Sequence, residues 1–214
     1  MDFIMNVIAG VVVFVIIALI AVIWGTIKMM YAGGYHIEIG KRFPDVAEAD
    51  SDINQKMAHS RTIRILAMRQ AALADDKKPV YSNLWASQAG NKHVEVILSS
   101  PKNVAAITKR AASCRMTPDE YIQQLEKSFE FLQRKRQGTS LEIGEHQELL
   151  SYGLVILDDY IYVFYYDDDK RRSEFTFAVR FRKRPMFSYG ESVAYRGFEL
   201  YYEHVKNISE FTAS

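Results

Sequence analysis

Residues 153–166 read GLVILDDYIYVFYY, and this stretch decides the fold of the chain. Two short runs rich in β-branched and aromatic residues flank the polar pair Asp158 and Asp159. Runs of this composition joined by a tight polar turn are typical of paired antiparallel strands. The stretch therefore predicts one strand at 153–158 and a second at 160–166.

Outward from this hairpin, strand patterns alternate with helix patterns. Further strands are predicted at 93–100, 140–145 and 174–181, and a closing amphipathic helix is predicted at 195–211. This order of elements predicts an α/β domain, a mixed-sheet sandwich with five or six strands.

Two helices between the strands carry start signals. Ser100 is the N-cap candidate of the first, with Pro101 at its first position and Val104, Ile107 and Ala111 at its buried spacing. The second has Thr117 and Glu120 in the spacing of a capping box. Upstream, residues 47–75 predict a third and longer helix that includes Arg61, Arg64 and Arg69.

Residues 3–27, FIMNVIAGVVVFVIIALIAVIWGTI, contain no charged side chain. A helix of this length reaches roughly 37 Å and would cross a hydrocarbon core of about 30 Å. The predicted fold is therefore a single N-terminal transmembrane helix followed by the α/β domain. The predicted division of the chain is a membrane anchor at 1–30, a juxtamembrane connector and helix at 31–90, and the α/β domain at 91–214.

The charges that flank the anchor predict its orientation. Basic residues follow it, beginning with Lys28, and none precedes it. The positive-inside rule then predicts a single-pass protein of the cell (inner) membrane, with the N-terminus outside and the domain in the cytoplasm. The single cysteine, Cys114, fits a reducing compartment. Ala21 and Gly25 form a small-xxx-small pair, which predicts self-association of the helix and a homo-oligomer. The alternative is that these residues are simply common in membrane helices.

The charge of the whole chain does not predict its ligand, because 27 basic residues nearly balance 26 acidic ones. Basic residues do concentrate in VRFRKRP, where Arg180 and Arg182 share one strand face and Lys183 and Arg184 extend it. Such a stripe predicts contact with phosphate groups of a nucleotide, a lipid headgroup or a nucleic acid. A solvated outer face is the alternative reading of the same residues.

The longer run SYGLVILDDYIYVFYYDDD, residues 151–169, resembles the core of the phospholipase D superfamily. In that family an H-x-K-x4-D motif enters an apolar strand, and a second strand ends near G-S-x-N. Laid on this chain, Ser151 takes the histidine position, Gly153 the lysine position and Asp158 the aspartate position. The resemblance spans roughly residues 90–210 and implies a half-domain of that family.

The same resemblance implies a degenerate site, because only Asp158 matches its motif. The G-S-x-N positions fall on Tyr165, Tyr166 and Asp168. A histidine nucleophile and a phosphate-binding lysine are required by the family's chemistry, so no catalytic residue is assigned. No cofactor or metal site is predicted either, because the five histidines show no i,i+3 or i,i+4 pairing.

Together these features predict a membrane-anchored, non-catalytic sensor or interaction module that binds a phosphate-bearing ligand or a protein partner, and that acts as an oligomeric membrane effector. The predicted ligand contacts are Arg180, Arg182, Lys183, Arg184 and Asp158. Two alternatives stay open. One is a phosphodiesterase-type hydrolase that recruits a histidine from outside the motif, and the other is a scaffold subunit of a membrane complex.

Overall fold

The structure is a computed structural model of the 214-residue chain. It describes residues 40–43, 46–68, 81–86, 92–136, 140–150, 152–166, 175–184 and 192–211. The strands in these ranges are β1 (Lys41–Phe43), β2 (Thr62–Ala67), β3 (His93–Ser99), β4 (Leu141–His146), β5 (Tyr152–Leu157), β6 (Tyr160–Tyr166), β7 (Phe175–Arg182) and β8 (Glu210–Phe211). The helices are α1 (Val46–Met57), α2 (Ser82–Ala86), α3 (Val104–Ser113), α4 (Pro118–Arg136) and α5 (Val193–Asn207).

The eight strands form one mixed sheet in the order β1-β7-β6-β5-β2-β3-β4-β8. Strands β2, β3 and β4 run parallel to one another, and every other pair is antiparallel. The parallel strands are joined through helical segments, as parallel pairing requires. The predicted hairpin is the antiparallel pair β5 and β6, which lies beside β2 near the centre of the sheet.

Helices cover both faces of the sheet. On the front face, which carries Ile63 and Ile65 of β2, side chains from α1, α2 and α4 complete one core. On the back face, which carries Leu66 of β2, α5 supplies Tyr195, Tyr202 and Val205 to a second core. The central strands are consequently apolar on both faces, which explains the unbroken apolar run in β5.

The ends of the helices follow local hydrogen bonds. The capping box predicted for α4 is confirmed, because Glu120 N–H donates to Thr117 Oγ1 at 3.2 Å and Thr117 N–H donates to Glu120 Oε2 at 2.7 Å. The predicted cap of α3 is wrong. Asn103, not Ser100, accepts from the N–H of Ala106 at 3.1 Å, so the helix begins three residues after Pro101.

Helix α3 ends in a left-handed residue that is not glycine. Arg115 has φ of 56°. The N–H of Met116 donates to Ala111 O at 2.9 Å, and the N–H of Arg115 donates to Ala112 O at 3.2 Å. This pair of bonds is the Schellman arrangement that closes many helices. It turns the chain directly into α4, and the two helices pack through Ile107 and Tyr121.

The long helix predicted at 47–75 is wrong beyond its first half. Helix α1 ends at Met57, and residues 62–67 form β2 in the middle of the sheet. Ile63 and Ile65 are buried on the front face while Thr62 and Arg64 lie on the other, which is strand periodicity. Residues 69–75 lie outside the described part of the chain.

The sheet also has more strands than predicted. The sequence did not indicate β1, β2 or β8. Strand β1 comes from the segment predicted to be a connector, and β2 comes from the segment predicted to be a long helix. The final helix ends at Asn207, and the chain then forms β8 instead of continuing as a helix to 211. Gly144 makes room for this short strand, because a Cβ there would lie 3.0 Å from the ring of Phe211.

The prediction of a membrane-spanning helix is wrong for the part of the chain that the structure describes. No helix there is both long and apolar enough to cross a bilayer. Residues 3–27, on which the prediction was based, lie outside the described residues, as do Ala21 and Gly25. The predicted location, a single-pass protein of the inner membrane with a cytoplasmic domain, rested on that helix and is corrected with it.

Candidate functional site

The basic residues predicted as a stripe on β7 lie in different environments. Arg180 is half-buried on the front face, where its Nη1 donates to Asp52 Oδ2 of α1 at 2.6 Å. Tyr162 of β6 donates its hydroxyl to the same carboxylate oxygen at 2.6 Å. Burial alone would raise the pKa of Asp52, but the hydrogen bonds from Tyr162 and Arg180 outweigh burial and lower it. Arg180 thus holds α1 against the sheet.

Aromatic rings surround this ion pair. The guanidinium of Arg180 lies 5.1 Å from the ring centroid of Tyr160, and Lys56 Nζ lies 5.4 Å from the same centroid. Lys41 of β1 faces Arg180 in the strand register, and its ammonium lies 4.4 Å from the ring of Phe43. These cation–π contacts fix the side chains at the outer end of the front face.

Beyond the ion pair, the positive charges are open to solvent. Lys41, Arg182 and Arg184 are exposed, and these three residues are called the basic edge below. Lys183, between the two arginines, is half-buried, with its ammonium 5.7 Å from the ring of Tyr195. The four basic residues predicted as ligand contacts therefore divide into two exposed arginines, one half-buried lysine and one arginine that is already paired.

Asp158 has a local structural partner. Its two carboxylate oxygens accept from the backbone N–H groups of Arg61 and Thr62 at 2.7 and 2.8 Å. These bonds tie the turn between β5 and β6 to the first residues of β2. The aspartate on which the family resemblance rests is thereby occupied with the backbone, although its side chain is exposed.

A second charged cluster lies on the back face under α5. Glu95 of β3 is only 4% exposed, and its oxygens accept from Lys206 at 2.6 Å, from Tyr202 at 2.8 Å and from His93 at 2.7 Å. Burial would raise the pKa of Glu95, but these donors outweigh burial and lower it. The carboxylate is therefore ionised at neutral pH and accepts hydrogen bonds from three side chains.

The cluster continues along α5. Arg64 of β2 donates through Nη1 to Glu203 at 2.7 Å and through Nη2 to Glu199 at 3.1 Å. Its guanidinium also lies 5.3 Å from the ring centroid of Tyr202. Three charged residues of the helix thus face charged residues of the sheet, and the pairing fixes the rotation of α5 on the back face. Sequence reasoning missed this network, because Arg64 was assigned to a helix.

At the outer end of this network, metal-ligating atom types come together. His93 Nε2, Glu95 and a carboxylate oxygen of Glu142 on β4 all lie within 4.8 Å of one another. The signal in the sequence was His-x-Glu in a strand, since residues i and i+2 point to the same face. The spacings i,i+3 and i,i+4, which apply to helices, do not detect this strand pattern.

A buried histidine lies at the opposite end of the parallel strands. His146 is fully buried, and its Nε2 lies 3.4 Å from the carbonyl of Ala67. Burial lowers the pKa of this imidazole to about 4, while the backbone of Ala67 and Glu148 opposes that shift. Ser99, its register neighbour on β3, is also fully buried. Without exposure, this pair offers no contact to a substrate.

The remaining positions of the family motif add no reactive group in the described residues. Gly153 is buried in β5, where it faces Phe164 of β6 in the register. Tyr165 packs edge to face with Tyr152, at 5.3 Å between ring centroids. Ser151 and Asp168 lie outside the described part of the chain. The resemblance to the phospholipase D superfamily stays a prediction.

Comparisons with known proteins give a distant structural likeness only. No protein-family model and no curated protein matches this chain. Among solved structures, it is similar to TrmBL2, described as an archaeal chromatin protein that shows a novel mode of DNA binding. The match has a TM-score of 0.48 and 11% identity, and it covers 94% of this chain and 66% of that one. A likeness this distant carries no argument about function.

Proposed function

We propose that this chain is a non-catalytic binding module for an extended phosphate-bearing ligand, and that a nucleic acid strand is the ligand class. The observation that carries the proposal is the basic edge, where Lys41, Arg182 and Arg184 are exposed together at one side of the sheet. The membrane-effector role predicted from the sequence is not part of this proposal.

The strand register supports the grouping of these charges. Lys41 is directly opposite Arg180, so Arg182 lies on the diagonal of the same face, about 7 to 8 Å away between Cα atoms. Arg184 follows two residues later. Asp52 offsets the charge of Arg180, which leaves the exposed residues as the net positive surface of this region.

The form of this surface favours a long ligand over a compact one. Lys41 and Arg182 lie on the outer strands β1 and β7, and Arg184 lies two residues beyond the end of β7, so a small nucleotide would contact only part of this surface. A polyanion with regularly spaced phosphates contacts several at once and releases counterions as it binds. Contacts of this kind read the backbone and not the bases, so we expect weak dependence on nucleotide sequence.

We propose a non-catalytic role because of the residues at the positions of the phospholipase D motif. The sequence has serine and glycine at the positions where the phospholipase D superfamily has histidine and lysine. Asp158, which matches the motif, accepts hydrogen bonds from two backbone N–H groups. A binding role needs none of these positions. It needs only exposed positive charge held at fixed spacing, which the strands supply.

Fluorescence anisotropy with labelled single-stranded and double-stranded oligonucleotides tests the proposal. For three phosphate contacts, the logarithm of the affinity should fall against the logarithm of salt concentration with a slope of roughly −2 to −3. The double substitution Arg182→Gln with Arg184→Gln should weaken binding and reduce the slope to roughly −1.

The matched control is Lys102→Gln with Lys127→Gln, which removes the same charge from exposed residues elsewhere on the surface. The control should bind like the unmodified chain. Equal losses in the two double variants would show a non-specific charge effect and contradict the proposal. Absence of binding to any oligonucleotide at low salt would also contradict it.

A further inference from the structure

We propose that His93, Glu95 and Glu142 form a binding site for a divalent transition-metal ion, with Zn²⁺ as the best-fitting ion. The three side chains offer one imidazole nitrogen and two carboxylate oxygens, all within 4.8 Å of one another. The site lies on the back face, near the start of the parallel strands β3 and β4, and it is independent of the basic edge.

Backbone register places these ligands together. His93 and Glu95 are separated by one residue in β3 and therefore project from the same face. Glu142 is the register partner of Glu95 on the neighbouring parallel strand. Two ligands from one strand and one from the next give a rigid triangle, because the sheet hydrogen bonds hold the spacing.

The distances fit a small ion after modest side-chain movement. His93 Nε2 lies 2.7 Å from Glu95 Oε1 and 4.0 Å from Glu142 Oε1. Tetrahedral zinc with ligand distances near 2.1 Å requires ligand atoms about 3.4 Å apart. The two observed separations lie on either side of that value. The histidine Nε2 would turn its lone pair to the ion, and its proton would lie on Nδ1.

The cluster is open on one side. The side chain of His93 is 43% exposed and that of Glu142 is 50% exposed, while that of Glu95 is 6% exposed. An ion can therefore approach from solvent and keep water in its remaining position. One buried and two exposed ligands favour a metal that exchanges over one that is permanently enclosed.

The residues behind Glu95 orient it. Tyr202 donates to one carboxylate oxygen, and Lys206 donates to the oxygen that also faces His93. Such outer contacts fix a metal-ligating carboxylate. The ammonium of Lys206 also repels a cation, so it lowers the affinity of the site. This opposition gives a prediction that a purely structural cluster would not give: loss of the Lys206 charge should tighten metal binding.

The donor types select among metals. Imidazole with carboxylates suits Zn²⁺, Co²⁺ and Mn²⁺, whereas Ca²⁺ and Mg²⁺ prefer sites made of oxygen alone. Among the three suitable ions, affinity should follow Mn²⁺ below Co²⁺ and Co²⁺ below Zn²⁺ when the geometry is tetrahedral.

Isothermal titration of the 214-residue chain, freed of metal with a chelator, tests the site directly. We expect one Zn²⁺ per chain, with affinity reduced at least about tenfold by His93→Asn and by Glu142→Gln. His204→Asn is the matched control, because His204 also lies beside a glutamate, 3.8 Å from Glu148, but belongs to no three-ligand group among the described residues. Lys206→Gln should bind Zn²⁺ more tightly than the unmodified chain.

Each result decides the proposal. Stoichiometric binding that is lost in the two ligand variants and kept in the control supports it. Absence of binding in the unmodified chain, or equal affinity in His93→Asn, overturns it, and an unchanged Glu142→Gln overturns the three-ligand site. The absorption spectrum of the Co²⁺-loaded chain excludes Cys114 as the ligand if it lacks a thiolate band. Circular dichroism of each variant verifies that the fold is retained.

Discussion

The two charged regions of the sheet differ in how far their charged side chains are buried and in how many of them are paired. Under α5, Glu95 is almost fully buried and accepts hydrogen bonds from three side chains. At the basic edge, Lys41, Arg182 and Arg184 face solvent, and the neighbouring Arg180 is paired with the carboxylate of Asp52. The first region has its charges matched from within, whereas the second presents an excess of positive charge.

This difference separates residues that stabilise the fold from residues that are open to a polyanion. Charges removed from water must be compensated inside the protein, so the residues around Glu95 are constrained by the fold. Exposed charges contribute little to stability and are available to a ligand. The largest losses of stability should therefore follow changes in the α5 network, and the largest losses of polyanion binding should follow changes at the edge.

Glu95→Gln should cause the largest loss of stability. The substitution leaves Lys206 without its anionic partner beneath α5, and breaking a buried ion pair costs about 3 to 5 kcal/mol. The free energy of unfolding, measured by urea denaturation without metal, should fall by that amount. Glu142→Gln, at a half-exposed position, should change it by about 0.5 kcal/mol or less. Similar losses in the two variants would contradict the contrast between buried and exposed charges.

His146 is a buried polar group with no charged partner among the described residues, and its effect on stability should appear as a dependence on pH. Its folded pKa of about 4 lies below the ordinary value of 6.5, so the folded state favours the neutral ring. Stability is then fully present above pH 6.5 and is lost as the pH falls toward 4, by about 3 kcal/mol in total. Unfolding free energies measured across this range should show the loss.

The variant His146→Gln should remove that pH dependence, whereas His204→Asn, at an exposed position, should retain it. The lowered pKa values of Asp52 and Glu95 act in a different window. The stability that these two carboxylates contribute is present above the ordinary pKa values of aspartate and glutamate, and it is lost as the pH falls below those values. A flat profile between pH 6.5 and 4.5 in the unmodified chain would contradict the role of His146.

Asp52→Asn should have an intermediate effect on the front face. It weakens the bond from Arg180 and the bond from Tyr162, and hydrogen bonds to charged groups each contribute about 1.5 to 3 kcal/mol. Because this ion pair is partly exposed and the amide retains one acceptor, we expect a loss of about 1 to 2 kcal/mol in urea unfolding. Arg182→Gln should lose about 0.5 kcal/mol or less.

Asp158→Ala should have a smaller effect on stability than Asp52→Asn. It removes the acceptor of two backbone N–H groups that water can replace at this exposed turn, so about 1 kcal/mol is expected. Asp159→Ala is the matched control, because the bond at Asp159 uses its backbone carbonyl, which accepts from Lys183. Equal thermal stability of the two variants would show that the Asp158 carboxylate does not fix the turn.

The parts of the fold that could be predicted are those with a strong local pattern. The strand at 160–166 and the capped helix α4 follow from composition, turn chemistry and capping residues. Strand β1 has only three residues, and it exists through its pairing with β7. Local pattern could not indicate it. Strand β2 was hidden because apolar residues in TIRILA, continued by Met68, also fit an irregular helix.

The site residues show the same limit. Alternation correctly indicated that Arg180 and Arg182 share a strand face, but it gave no information about α1, which brings Asp52 to one of them. Glu142 could not be linked to His93 without the parallel register of β3 and β4. Contacts between elements distant in sequence decide which charges are paired, and a single sequence does not contain that pairing.

Strands β1 and β8 lie at opposite edges of the sheet, although β1 is near the start and β8 near the end of the described chain. Seven strand spacings separate them, or about 34 Å. Two dyes attached near residues 41 and 211 would thus form a molecular ruler across the whole sheet. A change in energy transfer between them would report that either edge strand detaches before the central strands unfold. The same measurement with a bound polyanion would show whether binding at β1 delays the detachment of that edge.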